Sequence, residues 1–181
     1  MMQIPLIYVK DKQAFSKSAE GSLILIGKPT ELAREWKKKG IKLIHIVDLD
    51  AEHGNEMNFD IYDHLTYVVN IQVEGAAATG SEKLIKRLLK IKARVVVPLP
   101  SKLVLSGFVE KKRLLVGRIG KNFKGDAGEV FDIIIGAEDK PNSERFKKTD
   151  KRIIIDCSSG ISASSKIGKS VFGIIVTPDS L

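Results

Sequence analysis

Residues 41 to 58 read IKLIHIVDLDAEHGNEMN, and this stretch decides the predicted fold. It begins with a nearly continuous apolar run, Leu43 to Val47, which is typical of a strand covered on both faces of a parallel sheet. Carboxylates and a glycine follow at once, among them Asp48, Asp50 and Gly54. Polar residues just past the carboxyl end of a parallel strand lie where such sheets bind ligands. The stretch therefore predicts a strand, its direction and a candidate site.

Seven further apolar runs resemble this strand and are separated by helical or loop segments. The eight predicted strands are Ile4–Val9, Leu43–Val47, Tyr67–Val73, Arg94–Val97, Leu114–Val116, Asp132–Ile135, Arg152–Ile155 and Val171–Val176. This pattern predicts one α/β domain over residues 1–181, a compact (β/α)8 TIM-like barrel of parallel strands. Such barrels usually need about 250 residues, so several crossover helices are expected to be shortened or missing, notably after the second, fourth, fifth and sixth strands. An open doubly wound sheet is the alternative.

Length and composition fit a single globular domain. The chain has 181 residues, of which 43% are apolar and 29% are charged. No apolar run approaches the ~18 residues of a membrane span, and the N-terminus lacks the pattern of a signal peptide. The single cysteine, Cys157, excludes an internal disulfide. We therefore expect a cytoplasmic protein that does not span a membrane.

The net charge of +8 admits two interpretations. A strongly basic surface can bind nucleic acid, whereas a surface rich in lysine and glutamate is also found in heat-adapted proteins. The basic residues are spread along the chain, and the aromatic residues, 6% of the total, do not alternate with them. Since stacking platforms for single strands need such aromatics, the pattern disfavours nucleic acid as a partner.

Local signals place two helices and one core residue. Thr30 is expected to cap a helix that ends at Gly40, with Trp36 on its apolar face. Thr79 and Glu82 have the spacing of a capping box for a second helix. These helices would cover the outside of the predicted barrel.

Several segments resemble the histidine-biosynthesis barrel family, which contains the phosphoribosylformimino-aminoimidazole-carboxamide ribotide isomerase and the cyclase subunit of imidazole-glycerol-phosphate synthase. The resemblance is closest to the isomerase and runs best from Pro29 to Val97. The segments that carry it are residues 28–36 (KPTELAREW), residues 45–51 (HIVDLDA) followed by Gly54 and Asn58, and residues 70–75 (NIQVEG). After residue 100 the similarity thins. The resemblance implies a barrel fold and an isomerase ancestry.

The resemblance also implies a pair of catalytic carboxylates. The family isomerase uses an aspartate on the first strand as general base and an aspartate on the fifth strand as general acid. The matching positions here are Tyr8 and Gly117. Neither residue can perform carboxylate proton transfer, so the catalytic residues of this chain stay unknown.

The family further holds two phosphates on backbone N–H groups at glycine-rich strand ends. After the third strand this chain has Gly75 followed by three alanines, and after the fourth it has Pro98 and Leu99. The eighth strand is followed by Thr177 and Pro178. After the seventh strand, the turn Ser158–Gly160 keeps about half of the family's phosphate-binding pattern. The residues that we predict to bind a ligand are Asp48, Asp50, Gly75, Ser158, Ser159 and Gly160.

The acidic residues after the second strand leave two interpretations open. Asp48 and Asp50 could orient a substrate or hold a divalent cation, or they could simply form a solvated polar rim. No His or Cys spacing suggests zinc, and His45 is expected to be a packed, hydrogen-bonded residue. We predict no cofactor and no resident metal, with a divalent cation at Asp48 and Asp50 as the alternative.

Two functional hypotheses follow. The first is a shortened, degenerate relative of the ribotide isomerase that lacks isomerase activity and acts as a binding or partner protein. The second is a working isomerase or another enzyme on a phosphoribosyl or sugar-phosphate compound. A phosphorylated small molecule and a homo-oligomer are the expected partners. A barrel mouth closed by side chains would favour the first hypothesis, and an anion at Ser158–Gly160 would favour the second.

Overall fold

Ten strands occur in the part of the chain that the computed structural model describes, residues 1–121, 123–161 and 170–181. They form one sheet. The strands are β1 (Met2–Lys10), β2 (Gln13–Lys17), β3 (Leu23–Gly27), β4 (Leu43–Asp48), β5 (Asn70–Glu74), β6 (Arg94–Leu99), β7 (Leu115–Ile119), β8 (Asp132–Gly136), β9 (Arg152–Asp156) and β10 (Val171–Val176).

Eight of these strands close into a parallel barrel. The order runs β1, β4, β5, β6, β7, β8, β9 and β10, and β10 returns to pair with β1. The closing register matches Met2 with Gly173 and Pro5 with Val176. A sheet that returns to its first strand has no open edges in the ring, so the predicted (β/α)8 barrel is confirmed and the open-sheet alternative is wrong.

A two-stranded hairpin extends from this ring. The second half of β1 pairs in antiparallel fashion with β2, through Tyr8 opposite Phe15, and β2 pairs with β3. The apolar run Ser22–Ile26, which is not one of the eight predicted barrel strands, supplies most of β3. β2 was not predicted, since its alternation of polar and apolar residues is short.

Four α-helices lie in the described residues: α1 (Pro29–Lys38), α2 (Phe59–Thr66), α3 (Glu82–Lys90) and α4 (Lys140–Phe146). The crossover from β6 to β7 is a 3₁₀ segment, Leu105–Leu114, and the described part of the β7–β8 crossover contains no α-helix. The outer layer is therefore thinned, as the chain length predicts. None of the helices in residues that the structure describes is long and apolar enough to cross a membrane.

Both predicted helix caps are wrong. α1 begins at Pro29 with Lys28 as its N-cap, which places Thr30 inside the first turn. Proline is favoured at the first helical position because its fixed φ suits the helix and it has no N–H to leave unpaired. α3 begins at Glu82 with Ser81 as its N-cap, so Thr79 lies outside the helix. Trp36, by contrast, is buried on α1 as predicted.

Two apolar cores follow from the alternation of the strands. The larger core lies between the outer faces of the strands and the covering segments. The smaller one fills the barrel interior with a side chain from most strands: Ile4, Leu6, Leu43, Val96, Val116, Ile134, Ile154 and Ile175. Since these side chains fill the middle of the barrel, any site must lie above them, at the carboxyl ends of the strands.

Candidate functional site at the barrel mouth

The mouth of the barrel is crossed by the side chain of Arg118 on β7. Its Nη2 donates to Glu74 Oε2 on β5 at 2.6 Å, and its Nε lies 2.6 Å from Glu74 Oε1. Its Nη1 donates to Asp156 Oδ2 on β9 at 2.8 Å. One guanidinium thus joins two carboxylates from strands on either side of it, above the apolar interior.

A histidine and a glutamine extend this network along β4 and β5. His45 Nε2 lies 3.1 Å from Glu74 Oε2, and His45 Nδ1 lies 2.9 Å from Gln72 Nε2. Because a carboxylate can only accept, Nε2 donates to Glu74, and Arg118 Nη2 lies 3.3 Å from the same nitrogen. The side chains of His45 and Gln72 are fully buried, which confirms His45 as a packed, hydrogen-bonded residue.

The network holds its carboxylates in the ionised form. Burial alone would raise the pKa of Glu74, but the hydrogen bond from His45 and the charge of Arg118 outweigh it and lower that pKa to about 2. Burial likewise opposes ionisation of Asp156, yet Arg118 and the hydrogen bonds from Ser158 lower the pKa of Asp156. Both groups are therefore charged and engaged at neutral pH.

The two positions matched to the family's catalytic pair lie on different sides of the barrel wall. Tyr8 lines a cavity at the mouth, and burial, followed by the charges of Asp156 and Glu74, raises its pKa. A Cβ added at Gly117 would instead collide with Leu99 and come within 3.0 Å of Val130, both members of the outer core. The side chain that β7 directs into the mouth is that of Arg118.

Asp48 organises the loop after β4. Its side chain accepts hydrogen bonds from the N–H groups of Asp50 and Ala51, from Asn58 Nδ2 and from the hydroxyl of Tyr62, the last at 2.6 Å. It is 1% exposed, and burial raises its pKa although these hydrogen bonds oppose the shift. Its carboxylate is thus occupied within the loop.

Asp50 belongs to the same loop and ties it to β1. Its Oδ2 accepts from the N–H of Asp11 at 2.8 Å and from Asn58 Nδ2 at 2.9 Å. Asn58 Oδ1 in turn accepts from the N–H of Lys12. The loops after β1 and β4 are therefore held together by side-chain hydrogen bonds.

Gly75 lies where two strand ends approach each other closely. Its φ is +109°, and an added Cβ would come within 2.5 Å of the Asp48 carbonyl oxygen and 3.3 Å of Glu52 Cγ. Since L-residues rarely adopt this φ and no room exists for a side chain, packing against the β4 loop explains the glycine.

The turn Ser158–Gly160 follows β9. The N–H and hydroxyl of Ser158 both donate to Asp156 Oδ1, at 3.0 and 2.6 Å, and the N–H of Gly160 donates to the carbonyl of Cys157. Two of the three N–H groups predicted to hold a phosphate are therefore used inside the turn. Ser158 and Ser159 nevertheless line a cavity of about 310 Å³.

That cavity brings together the β2–β3 hairpin, β1 and the loops after β9 and β10. Its polar lining includes Tyr8, Lys17, Ser159 and Thr177. Lys17 Nζ lies 4.2 Å from the centre of the Tyr8 ring, a cation–π contact. Lys17 is the cationic side chain of this lining, so the cavity could accept an anionic group.

The structure therefore separates the predicted ligand-binding residues into those that line the cavity and those that hold a loop. The cavity contains Ser158 and Ser159, whereas Asp48, Asp50 and Gly75 hold the β4 loop in place. In residues 1–121, 123–161 and 170–181 no group of three or more His, Cys, Asp or Glu side chains is arranged to hold a metal. The prediction missed Arg118 as the central residue of the mouth, and Lys17 as the cation of the cavity.

Comparison with known proteins agrees with this architecture. A 1-(5-phosphoribosyl)-5-((5-phosphoribosylamino)methylideneamino) imidazole-4-carboxamide isomerase of Nitrosopumilus maritimus is 31% identical over 100 residues, which are 54% of this chain and 42% of the relative. The isomerase of the same name in Campylobacter fetus is 27% identical over 153 residues, covering 81% of this chain and 61% of the relative. An uncharacterized protein of Methanocaldococcus jannaschii is 31% identical over 106 residues, 54% of this chain and 47% of the relative.

The chain thus spans about half the length of the relatives that it matches. Among solved structures, the dihydropteroate synthase of Thermus thermophilus superposes with a TM-score of 0.55 over 98% of this chain and 88% of that one, at 9% identity. That likeness concerns the fold alone. The family described as histidine biosynthesis protein matches residues 3–115 of the 181, and by this match over more than half of its length the chain belongs to that family.

Proposed function

We propose that this chain is a non-catalytic member of its family, a binding or partner protein that has lost the isomerisation its relatives are named for. The observation that supports this proposal is the position of Arg118 between Glu74 and Asp156. A general acid or base works best when its pKa lies near the working pH. A glutamate whose pKa is about 2 and that is held by a guanidinium is a poor proton acceptor.

The two inward-facing positions nearest to the family's catalytic pair support the same proposal. Tyr8 has a pKa raised above that of an ordinary phenol, so it stays protonated at neutral pH and is not a base. Arg118 stays protonated at every pH that a protein meets. Neither of these two positions therefore has a carboxylic acid or an imidazole that could abstract or donate a proton.

The test is a direct assay with the imidazole-4-carboxamide compound that the relatives' name specifies. The purified chain is incubated with it, and product is followed chromatographically, with the Nitrosopumilus maritimus relative as the positive control. We expect conversion no faster than in buffer. Conversion that is abolished by Glu74→Gln, in a variant that still folds, would show a working enzyme and overturn the proposal.

A second candidate, recognition of a phosphorylated sugar, rests on the cavity that contains Lys17. A phosphate could take the charge of Lys17 together with hydroxyl and N–H donors from Ser159 and Thr177. Titration with ribose 5-phosphate, and with ribose as the uncharged comparison, tests this candidate. We expect binding of the phosphate ester to weaken at least about tenfold in Lys17→Met and to be unchanged in Lys39→Met, since the loss of one charge-assisted contact is worth roughly 1.5–3 kcal/mol. Equal affinity for ribose would contradict it.

A further inference from the structure

The charged side chains of the barrel divide between its two ends. All eight barrel strands are parallel, so the residues that begin them lie at one end, which we call the amino end, and the residues that follow them lie at the mouth. Among the described residues at the first position of a strand or within three positions before it, the cations Lys42, Lys92, Arg94, Lys112, Arg113, Lys151 and Arg152 outnumber the acids Glu129, Asp132 and Asp150. Among those at the last position or within three positions after it, the acids Asp11, Asp48, Asp50, Glu74, Glu138, Asp139, Asp156 and Asp179 outnumber the cations Lys10, Lys12, Lys102 and Lys121. The amino end is therefore positive and the mouth negative.

Most cations at the amino end have no carboxylate partner. Arg94 and Arg152 both hold the buried Asp132. In the part of the chain that the structure describes, no carboxylate oxygen lies within 4.0 Å of the other cations at this end: Lys42, Lys92, Lys112, Arg113 and Lys151. Burial, followed by the charge of Lys112, lowers the pKa of Lys151, because the two cations repel each other. An anion from outside the chain would relieve this repulsion.

A cavity of about 500 Å³ at the amino end combines cations with an exposed aromatic ring. It lies before β5 and β6 and contains Tyr67, Lys90 and Lys92, with Asp63 as the acid of its lining. Tyr67 is 81% exposed, which is unusual for a large aromatic side chain. Its ring is therefore open to a planar group.

A second cavity at the same end, of about 470 Å³, repeats this combination before β7, β8 and β9. Its aromatic residue is Phe131, which is 37% exposed. Its charged lining consists of the cations Lys112, Arg113, Lys151 and Arg152 and the acids Glu110 and Asp150. Lys151 Nζ donates to the carbonyl of Val130 at 2.6 Å, which holds this ammonium group beside the ring of Phe131. Cations thus outnumber acids in both cavities.

We propose that the amino end of the barrel binds single-stranded nucleic acid, with phosphates on the unpaired cations and bases stacked on Tyr67 and Phe131. Along the sequence the aromatic residues do not alternate with the basic ones, but the fold places these two rings beside cations from other segments. A single strand offers phosphates and free base faces together, whereas a duplex or an acidic peptide offers the charge alone.

The spacing of the two rings suits a short strand. The cavities lie at β5 and β8, which are separated by three strand spacings, about 15 Å. Proteins that bind single strands without sequence preference cover roughly 4–16 nucleotides, so one strand can reach both cavities. The site lies at the opposite end of the barrel from the mouth, and this inference is independent of the proposed function.

The first test measures binding of a fluorescent single strand of about 12 thymidine nucleotides by anisotropy. We expect a Kd between about 1 and about 100 µM at about 100 mM salt. An abasic strand of the same length and charge should bind at least about tenfold more weakly, because it has no bases to stack. Equal affinity for the abasic strand, or no binding of the thymidine strand up to about 1 mM protein, would overturn the proposal.

The second test locates the phosphate contacts. The double variant Lys92→Met/Lys112→Met should reduce the slope of log Kd against log salt by about 1.4, since each phosphate neutralised on a single strand contributes about 0.7. Lys10→Met/Lys102→Met makes the same change in net charge at the mouth and should leave the slope unchanged. The same reduction in both double variants, or in neither, would contradict a site at the amino end.

The third test concerns stacking and the class of partner. Tyr67→Ala should weaken binding of the thymidine strand at least about fivefold, and Tyr67→Phe should retain it, because stacking needs the ring and not the hydroxyl. Full affinity in Tyr67→Ala would contradict the stacking role. If a polyglutamate of equal charge displaced the labelled strand as well as an unlabelled strand does, the amino end would be a surface for acidic proteins and the proposal would be wrong.

Discussion

Arg118 on β7 reaches past the intervening strand β6 to Glu74 on β5, and its Nη2 lies 2.6 Å from Glu74 Oε2. The same side chain binds Asp156 on β9, the second strand along in the other direction. The guanidinium therefore clamps five neighbouring strands of the barrel at their carboxyl ends. The side chains at the mouth therefore hold the strands of the barrel together.

Arg118→Met should destabilise the chain by about 3 kcal/mol in urea unfolding at neutral pH. The reason is that two partly buried carboxylates would lose the charge that compensates them. Arg113→Met, which removes an exposed arginine, should change the unfolding free energy by less than about 0.5 kcal/mol. Adding Glu74→Gln to Arg118→Met should recover part of the loss. Equal stability of the native chain and Arg118→Met would contradict this account of the mouth.

The stability of the chain should fall as the pH decreases from about 4.5 to about 2. The pKa of Glu74 is about 2 in the folded chain against an ordinary 4.5, so the unfolded chain binds the proton first in this window. The lowered pKa of Asp156 acts in the same direction, and the raised pKa of Asp48 opposes it. Thermal unfolding at a series of pH values should show a shallower slope for Glu74→Gln. An unchanged slope would contradict the role of Glu74.

The sequence predicted the ring of strands better than it predicted the site. Runs such as Arg152–Ile155 are apolar because both faces of a barrel strand are buried, and this requirement is visible without coordinates. Successive side chains of a strand point to opposite faces of the sheet, so a shift of one residue in the matched position reverses the predicted face. Gly117 and Arg118 illustrate this: the matched position faces the outer core, and its neighbour fills the mouth.

Long-range partners were not predictable for a related reason. Asp48 is an aspartate at the end of a strand, and in the sequence such a residue looks the same whether its carboxylate binds a ligand or holds a loop. Its four donors come from residues 50, 51, 58 and 62, and only the folded loop brings them to one carboxylate. A single sequence therefore predicts where the strand ends, but it does not predict which partners the polar side chains at that end contact.

Gly75→Ala should destabilise the chain by about 3 kcal/mol, measured by urea unfolding. The φ of +109° is strained for alanine, and the added Cβ would come within 2.5 Å of the Asp48 carbonyl oxygen. Gly80→Ala is the matched control, since Gly80 also has a positive φ, +73°, but an added Cβ would have nothing within 4 Å. We expect about 1 kcal/mol there. Equal losses at both positions would show that close packing at Gly75 contributes nothing.

Tyr62→Phe should destabilise the chain by about 2 kcal/mol at neutral pH. The Tyr62 hydroxyl donates to Asp48 Oδ2 at 2.6 Å inside the protein, and a buried carboxylate that loses a donor is costly. The loss should shrink at low pH, because a protonated Asp48 needs that donor less. Tyr67→Phe removes the hydroxyl of a tyrosine that is 81% exposed, and it should leave the unfolding free energy unchanged. If Tyr62→Phe instead kept full stability and weakened binding of ribose 5-phosphate, Asp48 would belong to a ligand site, and its assignment to the loop would be wrong.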